Sequence, residues 1–265
     1  MPTAKNTTVL GVDLGGTKIH AGLYSVPDFK LIKEQQIPTD AKRGLENVLE
    51  SIAALINSFA DETTLAAGLG VPGYFNQQMN VLSRTPNIPF KSPVNLKDFF
   101  ASRVKIPMAF DNDAKLFAFA EYELNWKDKI KDMVALAIGT GLGGGIVIDG
   151  KIYRGANGFA GEFGHASFGA DREFEDVVSG KASDAQIGQS LGLLLSDIVH
   201  VFNPQVIVLG GSVALHTFAS LEKEVWDCIR KRNVEESYAG LKIVLSKLEN
   251  PATLGAALLA SKNRL

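Results

Sequence analysis

The chain of 265 residues is 46% hydrophobic and 21% charged, with a formal net charge of −2. These proportions fit an ordinary globular protein with room for one large domain or two lobes, and near-neutral charge without long like-charged blocks gives nucleic acid no electrostatic footprint. One cysteine, Cys228, excludes an internal disulfide and fits a reducing cytoplasm, the expected location. The polar start MPTAKNTT is too short for a signal peptide, and no apolar run approaches the ~18 residues of a membrane span.

In chain order, residues 9–13 read as a buried strand ending at Gly15-Gly16, followed by runs at 19–24 and 30–37. Strand, glycine turn, strand, turn, strand is a β-meander. Residues 44–60 carry Leu45, Val48, Leu49, Ile52, Leu55, Ile56 and Phe59 at helical spacing. A strand is expected at 65–71, stopped by Pro72-Gly73, and Pro86, Pro89 and Pro93 make the next stretch loop-like. A strand at 105–110 then delivers Asn112-Asp113 to a helix over 114–126. A second meander runs from MVALAI through the turn GTGLGGG to IVI and, past Asp149-Gly150, to KIYRG. A polar segment, 156–180, precedes a helix N-capped by Ser183, a strand at 205–209 ending in Gly210-Gly211, and a helix over 218–232. A strand at 241–245 and a helix over 252–262, opened by Asn250-Pro251, close the chain. The recurrence of the meander half a chain later implies a duplicated α/β lobe.

Several stretches carry candidate chemistry. In GVDLGGTK (residues 11–18), glycines at a strand end let backbone N–H groups approach a phosphate, with Thr17 and Lys18 as further donors. A P-loop requires Lys then Ser/Thr and a following helix, and neither is present; a plain glycine hairpin is the alternative. Asp13 beside such a turn would serve magnesium, directly or through water. The second turn contains G-x-G-x-x-G, but a hairpin follows where a dinucleotide site needs a helix; Thr140 and Gly141 remain donors for an ATP phosphate. Gly210-Gly211 could admit a purine and ribose, or reflect tight packing.

Asp113, opening a helix, suits a general base that accepts the proton of an attacking hydroxyl. It is equally placed to be an N-cap, and Asp111 competes for the same role. In GFAGEFGH (residues 158–165), Glu162 and His165 stand three apart on a glycine-rich loop suited to vicinal sugar hydroxyls, with Glu175 further on. His20, His200 and His216 have no such company, and Asp197 with His200 lies on a core-like helix.

Together and in this order, the motifs resemble the ROK family (repressors, uncharacterised reading frames and sugar kinases) of the actin and hexokinase-like ATPase superfamily. GVDLGGTK and GTGLGGG resemble the two phosphate motifs, Asn112-Asp113-Ala114 the sugar-and-base motif, and GEFGH the signature supplying glutamate and histidine. The resemblance implies a two-lobed α/β fold related to ribonuclease H, each lobe a mixed sheet with helices: a small lobe from 1–112 plus 250–265 and a large one from 113–249. It implies an ATP-dependent hexose kinase, most simply a glucokinase forming glucose 6-phosphate, with Asp113 as base. Sugar contacts fall on Gly73, Asn87, Asn112, Asp113, Glu162, His165 and Glu175. Mg2+ and ATP fall on Asp13, Gly15, Gly16, Thr17, Lys18, Thr140, Gly141, Gly210 and Gly211. The alternatives are a kinase for fructose, mannose, N-acetylglucosamine or N-acetylmannosamine, and a non-catalytic sugar-responsive regulator.

Two departures stand out. Family members often bind zinc with the GH histidine and three cysteines in a C-x-C-G-x-x-G-C loop; here ASFGADREF is shorter and has none, so no zinc site is expected. Lys115 also stands where asparagine is common. About eight residues precede the first strand, too few for the helix-turn-helix of a repressor, so neither nucleic-acid nor membrane partners are expected. A homodimer is.

Overall fold

The computed structural model describes residues 7–76, 78–86, 88–180 and 182–262. In chain order its strands and helices begin with β1 (Thr8–Leu14), β2 (Lys18–Ser25), β3 (Leu31–Pro38), α1 (Leu45–Phe59) and β4 (Thr64–Val71). The short β5 (Tyr74–Phe75), β6 (Val81–Arg84), β7 (Val94–Asn95) and α2 (Leu96–Ala101) follow, then β8 (Met108–Asn112) and α3 (Asp113–Glu121). Next come β9 (Met133–Ile138), β10 (Leu142–Ile148), β11 (Lys151–Tyr153), α4 (Phe174–Val178) and α5 (Asp184–Phe202). The last elements are β12 (Val206–Gly210), α6 (Ser212–Arg232), α7 (Glu235–Tyr238), β13 (Lys242–Leu245) and α8 (Pro251–Lys262). No described helix is long and apolar enough to cross a membrane.

The chain divides into two compact units: Met1–Ala120 with Gly155–Phe159 and Asn250–Leu265, and Glu121–Arg154 with Ala160–Glu249. The first holds a five-stranded sheet of order β3-β2-β1-β4-β8 and the second one of order β11-β10-β9-β12-β13. In each, an antiparallel meander supplies three strands and two parallel strands complete the sheet. The duplicated meander expected from the sequence is thus present as a repeated strand order.

In the first unit, α1 buries its apolar stripe against the core formed by Val12, Leu14, Leu69 and Phe110. The other face of the sheet receives α8, whose sequence PATLGAALLASK is buried nearly all round. A helix hydrophobic on every side belongs inside, and one built of small residues can approach its neighbours closely. A Cβ on Gly11 of β1 would overlap the Thr253 carbonyl, and one on Gly68 of β4 the Ala256 carbonyl. The strands carry glycine where the α8 backbone rests on them. Gly158 and Phe159 join the same unit, the Phe159 ring stacking on Tyr74 at 4.9 Å between centroids.

In several places the structure departs from the expected elements. The described residues from Pro86 to Pro93 are loop as expected, but β6 before them and β7 and α2 after them were not foreseen, Asn95 capping α2 by accepting the Asp98 N–H at 3.2 Å. These elements are too short to show periodicity. The helix expected over 114–126 ends at Glu121 and continues as a π-turn, Tyr122–Trp126. The polar segment 156–180 holds α4, and α6 starts six residues earlier than expected, directly after Gly211. Most informative is GTGLGGG: only its first three residues turn, because Leu142 already pairs with Ile138 and Gly143–Gly145 lie within β10. A Cβ on Gly144 would overlap the Phe163 ring. Those later glycines make room for the loop carrying Glu162 and His165.

Gly68→Ala should overpack the α8 seat and cost about 1–3 kcal/mol of stability. Gly240→Ala, where a Cβ meets nothing within 4 Å, should be close to neutral. Urea unfolding of both variants, read against the parent chain, checks the contrast.

Candidate active site

Parallel strands β1, β4 and β8 end together. Asp13 pairs in register with Gly70, and Gly70 with Asp111, so the carboxyl ends of three strands bring Asp13 to the start of α3. A Cβ on Gly70 would stand 3.5 Å from Asp13 Oδ1 and 3.6 Å from the Asp113 Cα. Glycine here lets the first turn of α3 settle beside Asp13.

The two residues of the Asn112-Asp113 pair divide their tasks. Asn112 is the N-cap: its Oδ1 accepts the Lys115 N–H at 3.1 Å, and its Nδ2 donates to the Gly73 carbonyl at 3.3 Å. Capping, open to Asp113 on sequence grounds, therefore belongs to its neighbour. Asp113 is half-buried, its Oδ1 accepting the adjacent Ala114 N–H at 2.9 Å. Asp111 is only 2% exposed and its Oδ1 accepts the Asn112 N–H at 2.8 Å, which separates the two acids that spacing left equivalent. Lys115 is likewise buried, at 2% exposure.

Asp13 is the electrostatic anomaly. Its Oδ1 is buried without a hydrogen-bond partner. Burial first, and then the Asp113 carboxylate, push its carboxyl from 3.8 up to about 7. An unsatisfied carboxylate beside a second acid is a place a cation would relieve.

The turn after β1 is closed by its own backbone. The Gly15 N–H donates to the Lys18 carbonyl at 2.9 Å, and the Gly15 carbonyl accepts the Thr39 hydroxyl at 2.7 Å. Gly15 therefore shapes the turn, leaving Gly16, Thr17 and Lys18 as its exposed members. Thr39, which also donates its N–H to the Thr17 carbonyl at 2.9 Å, was not foreseen. Asn87 lies outside the described residues; Ser83–Pro86 and Ile88–Pro93 line a cavity of about 430 Å³.

In the second unit, Gly139 donates to the Gly141 carbonyl at 2.9 Å, closing a turn with Thr140 exposed at its tip. Glu175, on α4, reaches this turn: its Oε2 accepts the Leu142 N–H at 3.0 Å and would lie 2.7 Å from a Cβ on Gly141. Glu175, singled out for sugar, is thus also the side chain that braces the second glycine turn. Gly210 ends β12, and Gly211, at φ 86, packs on the Ile138 carbonyl too closely for any side chain. Close packing alone accounts for that glycine.

Glu162 precedes a 3-10 turn, Phe163–His165, seated on β10. The exposed His165 ring contacts Glu173 Oε2 through Nδ1 at 2.7 Å. That hydrogen bond, and then the charges of Glu173, Glu162 and Glu175, raise its pKa above 6.5. Glu173 was not picked out from sequence, because the usual capping-box signature begins with Ser, Thr, Asp or Asn and ends in Glu or Gln, and Glu173 with Asp176 does not match it. Two of the other histidines are engaged elsewhere, His20 with Glu34 at 2.8 Å and His216 with the Ser212 carbonyl at 2.6 Å. Asp197 pairs with Arg232 at 3.3 Å.

Two five-stranded sheets with the same meander-plus-parallel order, and glycine turns at strand ends, define the actin and hexokinase-like ATPase class. A ROK family glucokinase of Streptomyces griseus, solved with glucose and AMPPNP, superposes with a TM-score of 0.80 at 25% identity, covering 96% of this chain and 99% of that one. A glucokinase of Thermotoga maritima is 28% identical over 317 residues, 97% of each chain. The xylose repressor of Caldicellulosiruptor bescii is 24% identical over 306 residues, 93% of this chain and 76% of that protein. The ROK family profile matches residues 9–180 and 175–263, and the chain belongs to the ROK family.

A carboxyl raised from 3.8 to about 7 in the fold favours folding fully below its unfolded value, and that contribution is lost as pH rises through about 7. Asp13→Asn should therefore flatten the fall in Tm between about pH 5 and about pH 8, measured by calorimetry without ligands. An unchanged pH dependence would count against the buried, acid-paired state of Asp13.

Proposed function

We propose that the protein is an ATP-dependent hexose kinase that converts glucose to glucose 6-phosphate. The observation that carries this reading is the half-buried Asp113 carboxylate beside the unpartnered, buried Oδ1 of Asp13. In this reading Asp113 accepts the proton of the attacking sugar hydroxyl. As that proton leaves, the oxygen bonds to the γ-phosphorus and the bond to the departing ADP oxygen breaks. Such a transfer asks the protein mainly for positioning and charge neutralisation.

The capping bond of Asn112 supports Asp113 as base, because it leaves α3 started by a residue other than the acid. In the first unit Asn112, held to Gly73, and Asn87 would contact the sugar, and in the second Glu162, His165 and Glu175 are its candidate contacts. Gly16, Thr17 and Lys18 in one turn, and Thr140 and Gly141 in the other, would receive the phosphates; Gly210 and Gly211 would flank the nucleoside. The Asp13 carboxylate fits Mg2+, directly or through water, and the ion when bound would offset the phosphate charge.

Wild-type protein should release ADP from Mg-ATP with glucose in a panel of hexoses and N-acetylhexosamines. Asp113→Asn should retain sugar binding by calorimetry while losing about 10²–10⁴-fold in kcat; near wild-type turnover would sink the mechanism. A non-catalytic sugar-responsive regulator is the second reading, favoured by the similarity to a xylose repressor. Sugar binding with no ADP release from any panel member would select it.

Glu175 provides an internal check. The Cβ of Gly141→Ala, 2.7 Å from Glu175 Oε2, should displace that carboxylate. Sugar KM should then rise, although position 141 touches no sugar in this reading. An effect confined to ATP would remove Glu175 from the sugar site.

A further inference from the structure

The loop between His165 and α4 is closed by backbone hydrogen bonds and ring contacts of its own. Phe174 N–H donates to the Ala166 carbonyl at 3.0 Å, Phe168 N–H to the Arg172 carbonyl at 2.7 Å, and Ser167 forms an isolated bridge with Glu173. The Arg172 guanidinium lies 5.0 Å from the centre of the Phe168 ring, which meets Phe174 edge-on at 5.4 Å. Glu173 sits at the root of this loop as the N-cap of α4, its N–H donating to Asp176 Oδ2 at 3.1 Å in a capping box. Its side chain meets His165 Nδ1 at 2.7 Å.

The donors here do not suit zinc. A structural zinc ion takes four ligands, usually thiolates and imidazoles. The loop offers one imidazole and no thiol, and Cys228, the chain's single cysteine, lies on α6 against Gly192 of α5.

We propose that Glu173 is a positioning residue that does here what a metal would do, holding the His165 imidazole by Nδ1 while fixing the start of the helix that carries Glu175. This rests on the sugar-kinase reading. A carboxylate on Nδ1 sets the ring's orientation and keeps the proton on that nitrogen, directing Nε2 to a ligand hydroxyl. The same residue caps α4, and Glu175 follows two positions later in the first turn of that helix. One side chain and its backbone thus set both His165 and Glu175. Glu162 and Glu175 are the other carboxylates whose charge reaches the ring, and Glu173 is the one that hydrogen-bonds it.

The test compares Glu173→Gln and Glu173→Asp with the parent enzyme for hexose KM, ATP KM, kcat and Tm. Nitrogen-15 NMR of His165 follows the imidazole. Glu173→Gln should raise hexose KM ~10-fold, the scale of losing a ligand-orienting partner, with ATP KM and Tm nearly unchanged. Glu173→Asp should restore part of the loss. The parent should keep its activity after exhaustive chelation and repletion with magnesium alone. An unchanged hexose KM in Glu173→Gln overturns the proposal. So does a loss shared equally by both substrates and by Tm, and so does stoichiometric zinc whose removal abolishes activity. If the parent phosphorylates no hexose, the kinase reading falls instead, and the nitrogen shifts decide the pairing. A changed Nδ1 environment in Glu173→Gln upholds it, and identical spectra overturn it.

Discussion

Two carboxylates held close together, one near the end of a strand and one at the start of a helix, are the constraint on which the first unit depends. Asp13 closes β1 and Asp113 opens α3, with Gly70 of β4 between them in register with both Asp13 and Asp111. Proteins avoid this arrangement unless something offsets it, since a buried carboxylate oxygen without a hydrogen-bond partner costs free energy and a neighbouring acid adds to the cost. The fold meets that cost by holding the strands rigidly. Helix α8 lies against glycines on β1 and β4, so that neither strand can shift without its backbone meeting that of the helix. Unsatisfied charge concentrated where a ligand would relieve it is a common property of functional sites.

In the second unit glycine serves a different end. The run inside β10 makes the strand thin enough for the Glu162–His165 loop to lie on it, with Phe163 over Gly144. Next to that seat, Glu175 accepts the Leu142 N–H, so one carboxylate touches the turn at the head of β10 and stands on the helix that follows the loop. The Leu142–Glu175 hydrogen bond therefore ties the turn to α4. This corner of the chain is built from a hydrogen-bonded hairpin, a cation over an aromatic ring and the His165–Glu173 pair.

Much of this architecture was legible beforehand. The two meanders, α1, α5 and its Ser183 cap, and the Asn250-Pro251 start of α8 follow from local rules of period, glycine placement and capping, which act within a few residues. The short β6, β7, α2 and α4 were not legible, because two to six residues carry no periodic signal and packing alone stabilises them. GTGLGGG was misjudged at its second half for the same reason: a glycine in a strand and a glycine in a turn are alike until the neighbour above is known.

The sequence by itself determined the family, the repeated α/β architecture and the short list of acids, since motif order and hydrophobic period survive without coordinates. Only the tertiary structure decided among those acids. It buried Asp111 and left Asp113 half-exposed, gave the helix cap to Asn112, raised Asp13, tied Glu175 to a glycine turn and set Glu173 against His165. The physical reason is that burial, carboxylate repulsion and hydrogen bonding depend on distances between residues far apart in the chain, and those distances exist only after strands pair and helices pack.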